Sequence, residues 1–145
     1  MPWGPARALI ITEIMYHSAD LDDRPHEWIE LYNELPDPLD LSGYSICNGV
    51  DFELPPGTWL DGKSFLVVCA VELNVQNKYS ITNTIGDWYT NPATSPSLSN
   101  GGETIEICNA GGKVIARVRY NDRGKWESGA DGTGHRRYSH RQRPR

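Results

Sequence analysis

No apolar run approaches the roughly 20 residues needed to cross a bilayer, so the chain as written reads as soluble. No stretch of ten or more residues repeats its apolar positions at the helical period, and no heptads occur. A long amphipathic helix and a coiled-coil rod are therefore excluded. The opening Met1-Pro2-Trp3-Gly4-Pro5 lacks the charged and then apolar order of a secretory leader. Cysteine is scarce: Cys47, Cys69 and Cys108 are an odd set, which rules out a fully paired framework within the chain. All three lie in strand-like runs, where a free cysteine behaves as a small hydrophobe. There is no Cys-x-x-Cys or Cys/His spacing for zinc and no Gly-x-Ser-x-Gly elbow for a serine hydrolase.

What is present points to one domain. A length of 145 residues is enough to bury a core without staples. Apolar residues make up only 38%, but five Trp and seven Tyr carry much of the buriable area. Ten Pro and 14 Gly imply many turns, as an all-β chain needs. Charge is uneven. Residues 1–53 hold 11 acids against Arg7 and Arg24, whereas the last eleven residues hold five Arg and no acid. That pattern reads as an acidic face with a basic tail, or as an ordinary solvated surface.

Short apolar runs separated by turn residues recur at strand length. Ala8 to Tyr16 and Glu27 to Tyr32 read as the first two strands, with an acidic loop from Asp20 to Pro25 between them. Tyr44 to Cys47 and Asp51 to Leu54 follow, and Pro55-Pro56-Gly57 then turns the chain. Ser64 to Cys69 is a continuous run, expected to be buried on both faces. Residues 72–101 are the least regular, with Trp88 and Tyr89 embedded: a loop either pinned to the core or used for binding. Glu103 to Cys108 and Val114 to Tyr120 form a hairpin. Alternation places Ile105 and Ile107 on one face with Val114 and Ala116, and Glu106 opposite, in diagonal reach of Lys113 and Arg117.

Six segments, in order, resemble the lamin-tail family, most closely its bacterial type. They are Ile11-Thr12-Glu13-Ile14-Met15-Tyr16, Glu27-Trp28-Ile29-Glu30-Leu31-Tyr32-Asn33, Leu39-Asp40-Leu41-Ser42-Gly43-Tyr44, Leu54-Pro55-Pro56-Gly57-Thr58, Leu98-Ser99-Asn100-Gly101-Gly102-Glu103-Thr104-Ile105 and Gly129-Ala130-Asp131-Gly132-Thr133-Gly134. The resemblance implies an all-β fold, an immunoglobulin-like antiparallel β-sandwich of about seven to nine strands. It covers residues 8–134 and leaves 135–145 as a basic C-terminal tail or a truncated last strand. It further implies no enzyme but a binding or structural module with protein or surface contacts, extracellular or at the cell surface, in a larger exported protein. A nucleic-acid-binding module using the basic C-terminal tail, or an accessory domain of a hydrolase, is the alternative.

The candidate sites are few. Glu13 and Glu30 come from neighbouring strands; paired carboxylates do acid–base work when close and desolvated, but here they are expected on an exposed polar face. Asp20, Asp22, Asp23 and Glu27 crowd one loop, as oxygen ligands for Ca²⁺ would, yet their spacing is not that of an EF-hand, and a solvated loop without a cofactor is the plainer expectation. His17 and His26 flank the same loop as remote zinc candidates. Arg136, Arg137, Arg141 and Arg143 suit phosphate oxygens, and with Tyr138 would make a nucleic-acid-binding tail. Trp88 and Tyr89 are the candidate partner-binding aromatics.

Overall fold

Alternating apolar residues give each strand one face to bury, and the chain buries these faces between two sheets. The computed structural model describes residues 8–17, 22–121, 126–127, 135–138 and 141–144, the last three as backbone alone. In chain order the elements are β1 (Leu9–Met15), a 3-10 turn at Arg24–His26, β2 (Trp28–Asn33), β3 (Leu39–Asp40), β4 (Ser45–Asn48), β5 (Phe52–Glu53), β6 (Trp59–Leu60) and β7 (Phe65–Cys69). Then come α1 (Glu72–Tyr79), β8 (Thr84–Ile85), β9 (Gly102–Cys108), β10 (Val114–Asn121), β11 (Trp126–Glu127), β12 (His135–Tyr138) and β13 (Arg141–Pro144). One sheet runs β12-β13-β1-β2-β7-β8, a second β11-β10-β9-β4-β5, and β3 pairs with β6. Among the described residues only the β7–β8 pair is parallel. The expected immunoglobulin-like sandwich is what forms. No helix among the described residues is long and apolar enough to cross a membrane.

Two bulges decide which side chains reach the core. In β1 the register shifts between Ile11 and Glu13, so Ile11 faces Leu31 and Ile14 faces Ile29, all four in the core. The extra residue is Thr12, and the bulge lets positions three apart share one face. In β10 the shift falls between Val114 and Ala116. Ala116 and Val118 therefore face Ile107 and Ile105, while Val114 is turned out, 42% exposed. This corrects the expected register: strict alternation put Val114 inside, and the extra residue Ile115 reverses its parity. Glu106 and Arg117 sit directly opposite each other, with Nε 3.4 Å from Oε2.

The outer face of the first sheet carries a second, smaller core of Met15, Trp28, Val67, Cys69 and Val75. Its cover is α1, a helix inside the stretch that reads as irregular. Its N-cap position is Val71, which offers no side-chain acceptor. Instead Glu72 N–H donates to Asp87 Oδ1 at 2.6 Å, and the Glu72 carboxylate accepts the Thr84 hydroxyl at 2.8 Å. The helix covers Val67 and Cys69 while Leu66 and Val68 are buried beneath, which is why that run is apolar without alternation. Phe65, beyond the helix, is 45% exposed.

Asn33 ties the end of β2 to the chain around β6. It is wholly buried. Its Nδ2 lies 2.8 Å from the Asp37 carbonyl, 3.2 Å from that of Leu60 and 3.1 Å from that of Asp61, and its Oδ1 accepts Leu35 N–H at 2.9 Å. The chain passes so close here that a Cβ on Gly62 would run into the Pro36 carbonyl.

The cysteines also differ from their reading as three small apolar thiols. Cys47 and Cys108 form a disulfide that joins neighbouring β4 and β9 across 61 positions. Only Cys69 is free; it is buried, and desolvation pushes its thiol well above the usual range.

Candidate contact surfaces

The acidic loop candidates do not converge. The Arg24 guanidinium holds both oxygens of Asp22, through Nε at 3.1 Å and Nη2 at 3.0 Å, and lowers its carboxyl below the usual range. Arg24 also donates to the Pro92 carbonyl at 3.0 Å and lies 5.5 Å from the centre of the Tyr89 ring. Asp23 Oδ2 is 3.5 Å from His17 Nε2 and accepts from Asn100 Nδ2 at 3.2 Å. Glu27 points inward and has no exposed surface. Its Oε1 accepts Leu98 N–H at 2.8 Å, and its Oε2 has no hydrogen-bond partner among the described residues. Burial, reinforced by Asp23 and Glu103, pushes its carboxyl up to about 9, so it is a neutral acid at pH 7. Asp20 lies outside the described residues. Among the described residues no three His, Cys, Asp or Glu side chains, including His17 and His26, form a group able to hold a metal ion.

Glu13 and Glu30 are cross-strand partners, as the adjacency of β1 and β2 requires. Their expected exposure is corrected: Glu13 is 0% exposed, because the bulge carries it onto the covered outer face beside Met15. Glu30 is half-buried, and its Oε1 accepts the Thr12 hydroxyl at 2.8 Å.

Arg136 and Arg137 fall in β12, Arg141 and Arg143 in β13; their side chains lie outside the described residues. The backbone of β13 pairs with β1, placing Arg141 opposite Met15 and Gln142 opposite Ile14. Trp88 is 4% exposed and belongs to the main core, with Phe52 at 6.5 Å between ring centres, so packing occupies the ring that was a partner-binding candidate. Tyr89 is half-buried against the same core, under Arg24.

The surface that sequence reading passes over lies at the far end of β7. An open groove of about 510 Å³ runs between Trp59 of β6 and Phe65 of β7, with Asp61, Lys63, Asn83 and Thr84 along it. Trp59 is 59% exposed and Phe65 45%, and Phe65 packs against Tyr32 at 4.6 Å between centres. Period-2 counting along Ser64 to Cys69 puts Phe65, Val67 and Cys69 on one face; the last two join the core under α1 and Phe65 does not, a difference that no local sequence signal marks.

A family model described as Lamin Tail Domain matches residues 4–122 of the chain. No curated protein matches it.

Proposed function

The chain belongs to the lamin tail domain family, and from that premise we propose that it is a non-catalytic module that docks a protein on the Trp59–Phe65 groove, in an exported or cell-surface parent protein. The observation that carries this reading is the pair of exposed aromatic rings in one groove. Isolated exposed apolar residues are ordinary, but two large rings sharing a groove with polar edges have the composition of a contact surface. The export reading draws support from the Cys47–Cys108 disulfide, because such bonds persist in oxidising compartments and are rare in the cytosol. The non-catalytic reading draws support from the carboxylates: Glu27 anchors a loop amide, Glu13 is enclosed, and Asp22 is held by Arg24.

The test is site-specific photo-crosslinking on the envelope fraction of the source cells. A crosslinker at Ser64, in the groove, is compared with one at Asp51, on the five-stranded sheet's side. The expected result is one protein adduct from Ser64 alone, removed by excess unlabelled chain and weakened by Trp59→Ser. Equal adducts from both positions, or adducts indifferent to competition, would overturn the assignment.

A further inference from the structure

The Cys47–Cys108 disulfide sits where two bulges meet β9. In β4 the register shifts between Ile46 and Asn48, so Cys47 is the extra residue. In β10 the shift between Val114 and Ala116 falls beside the same two residues of β9, Ile107 and Cys108. Ile46 and Ile107 carry the strand pairing into the core, while Cys47, set outside the pairing by the bulge, is exposed. Cys108 is 7% exposed, and Val114, opposite it on β10, is 42% exposed. The bond therefore has one open end and one closed end, and it stands apart from the Trp59–Phe65 groove, which no cysteine lines.

Thiol–disulfide exchange is attack by a thiolate on one sulfur of the bond, and access decides which sulfur is struck. Here that sulfur is Cys47 Sγ, with Cys108 as the leaving group. Three further features let the reaction run in the folded state. Without the bond, β4 and β9 stay joined by their ladder and by Asn48 Nδ2, which donates to the Thr104 carbonyl at 2.6 Å. The Glu106 carbonyl oxygen lies 3.5 Å from Cys47 Sγ, so a thiol formed there has an acceptor in place. Cys69 is buried in the other sheet, and desolvation keeps its thiol protonated, so it does not reshuffle the pair. We propose that this bond is a redox-regulated site: a dithiol, of the kind carried by thioredoxin-like oxidoreductases, reduces it in the folded protein by attack on Cys47 Sγ. The first thiolate of the dithiol forms a mixed disulfide with Cys47, and Cys108 leaves as a thiolate that takes a proton from water. The second thiol of the dithiol then displaces Cys47. Two electrons and two protons pass to the chain, and the dithiol becomes a disulfide. What the chain loses is the closure across 61 positions, so the reduced module keeps its fold at lower stability.

The experiment follows reduction of the full chain by dithiothreitol at several urea concentrations below the unfolding transition. Samples are quenched with acid, and loss of the disulfide-linked Cys47–Cys108 peptide is read by mass spectrometry. The expected rate changes less than about twofold per molar urea, whereas reduction by way of global unfolding would accelerate about tenfold per molar. Thioredoxin with its second active-site cysteine replaced by serine should be trapped on Cys47. The reduced chain should still melt cooperatively, at a lower midpoint. A rate that climbs with urea as unfolding does, a trapped adduct on Cys108, or loss of the cooperative melt on reduction would each overturn the proposal.

Discussion

Leu98 donates its backbone N–H to Glu27 Oε1 at 2.8 Å across 71 positions of sequence, inside the protein. A buried carboxyl thus clamps the loop before β9 to the segment that opens β2. Because the folded state raises this acid from 4.5 to about 9, folding favours its proton. The contribution is fully present below about pH 4.5 and declines as pH rises toward 9, because the unfolded chain releases the proton first. We expect wild-type stability to fall through this window, and Glu27→Gln to flatten the slope while keeping an acceptor for Leu98. Glu27→Ala leaves a buried amide without its acceptor and should cost about 1–3 kcal/mol. Urea melts from pH 5 to 9 check both; a Glu27→Gln slope equal to wild type would remove Glu27 as the cause.

The disulfide closes a loop across 61 positions. Chain-entropy reasoning gives about 4 kcal/mol for such a loop, with measured values usually about 2–4. Denatured without reductant, the chain should titrate one thiol, that of Cys69, and three after reduction. The Cys47→Ala/Cys108→Ala double variant should melt lower by the same few kcal/mol. Three thiols without reductant would mean that the bond does not form.

Asp87→Ala should loosen α1 by about 1 kcal/mol, the ordinary value of a helix cap, since it deletes the acceptor of Glu72 N–H. Asp87→Asn keeps an acceptor and should be milder. Amide exchange at Val75 and Tyr79 reports this locally. Unchanged exchange in Asp87→Ala would show that packing on the outer face holds the helix unaided.

Millimolar Ca²⁺ should leave the melting midpoint where EDTA puts it, because Arg24 already neutralises Asp22 and Glu27 is buried and protonated. A ligand that binds only the folded state would raise the midpoint. A rise with Ca²⁺ that Asp20→Asn abolishes would mean that the loop rearranges around the ion.

Short duplex DNA tests Arg136, Arg137, Arg141 and Arg143. Contact with phosphates requires affinity to fall steeply with salt. We expect the midpoint not to move with DNA at about 0.15 M salt, where exposed charges are screened beyond ~8 Å. A salt-sensitive rise lost on replacing these arginines would establish a nucleic-acid interface.

Period-2 alternation, turn residues and the six family segments were enough to determine a sandwich, the main strands and the pairing of β9 with β10. These are local features: a strand with one apolar face must find a core, and Pro-Pro-Gly must turn wherever it stands. Tertiary structure decided the rest, because each remaining feature depends on residues far apart in sequence. Bulges at Thr12 and Ile115 reset the parity of β1 and β10 and so buried Glu13 and exposed Val114. The cap that stabilises α1 is Asp87, beyond the helix's far end, so no local start signal marks Glu72. Cys47 and Cys108 became partners only when β4 came beside β9. The exposure of Phe65 follows from where α1 stops, and the concavity beside Trp28 and Tyr79 from where the helix crosses the sheet. Composition along the chain cannot encode either position, since both are set by packing between elements.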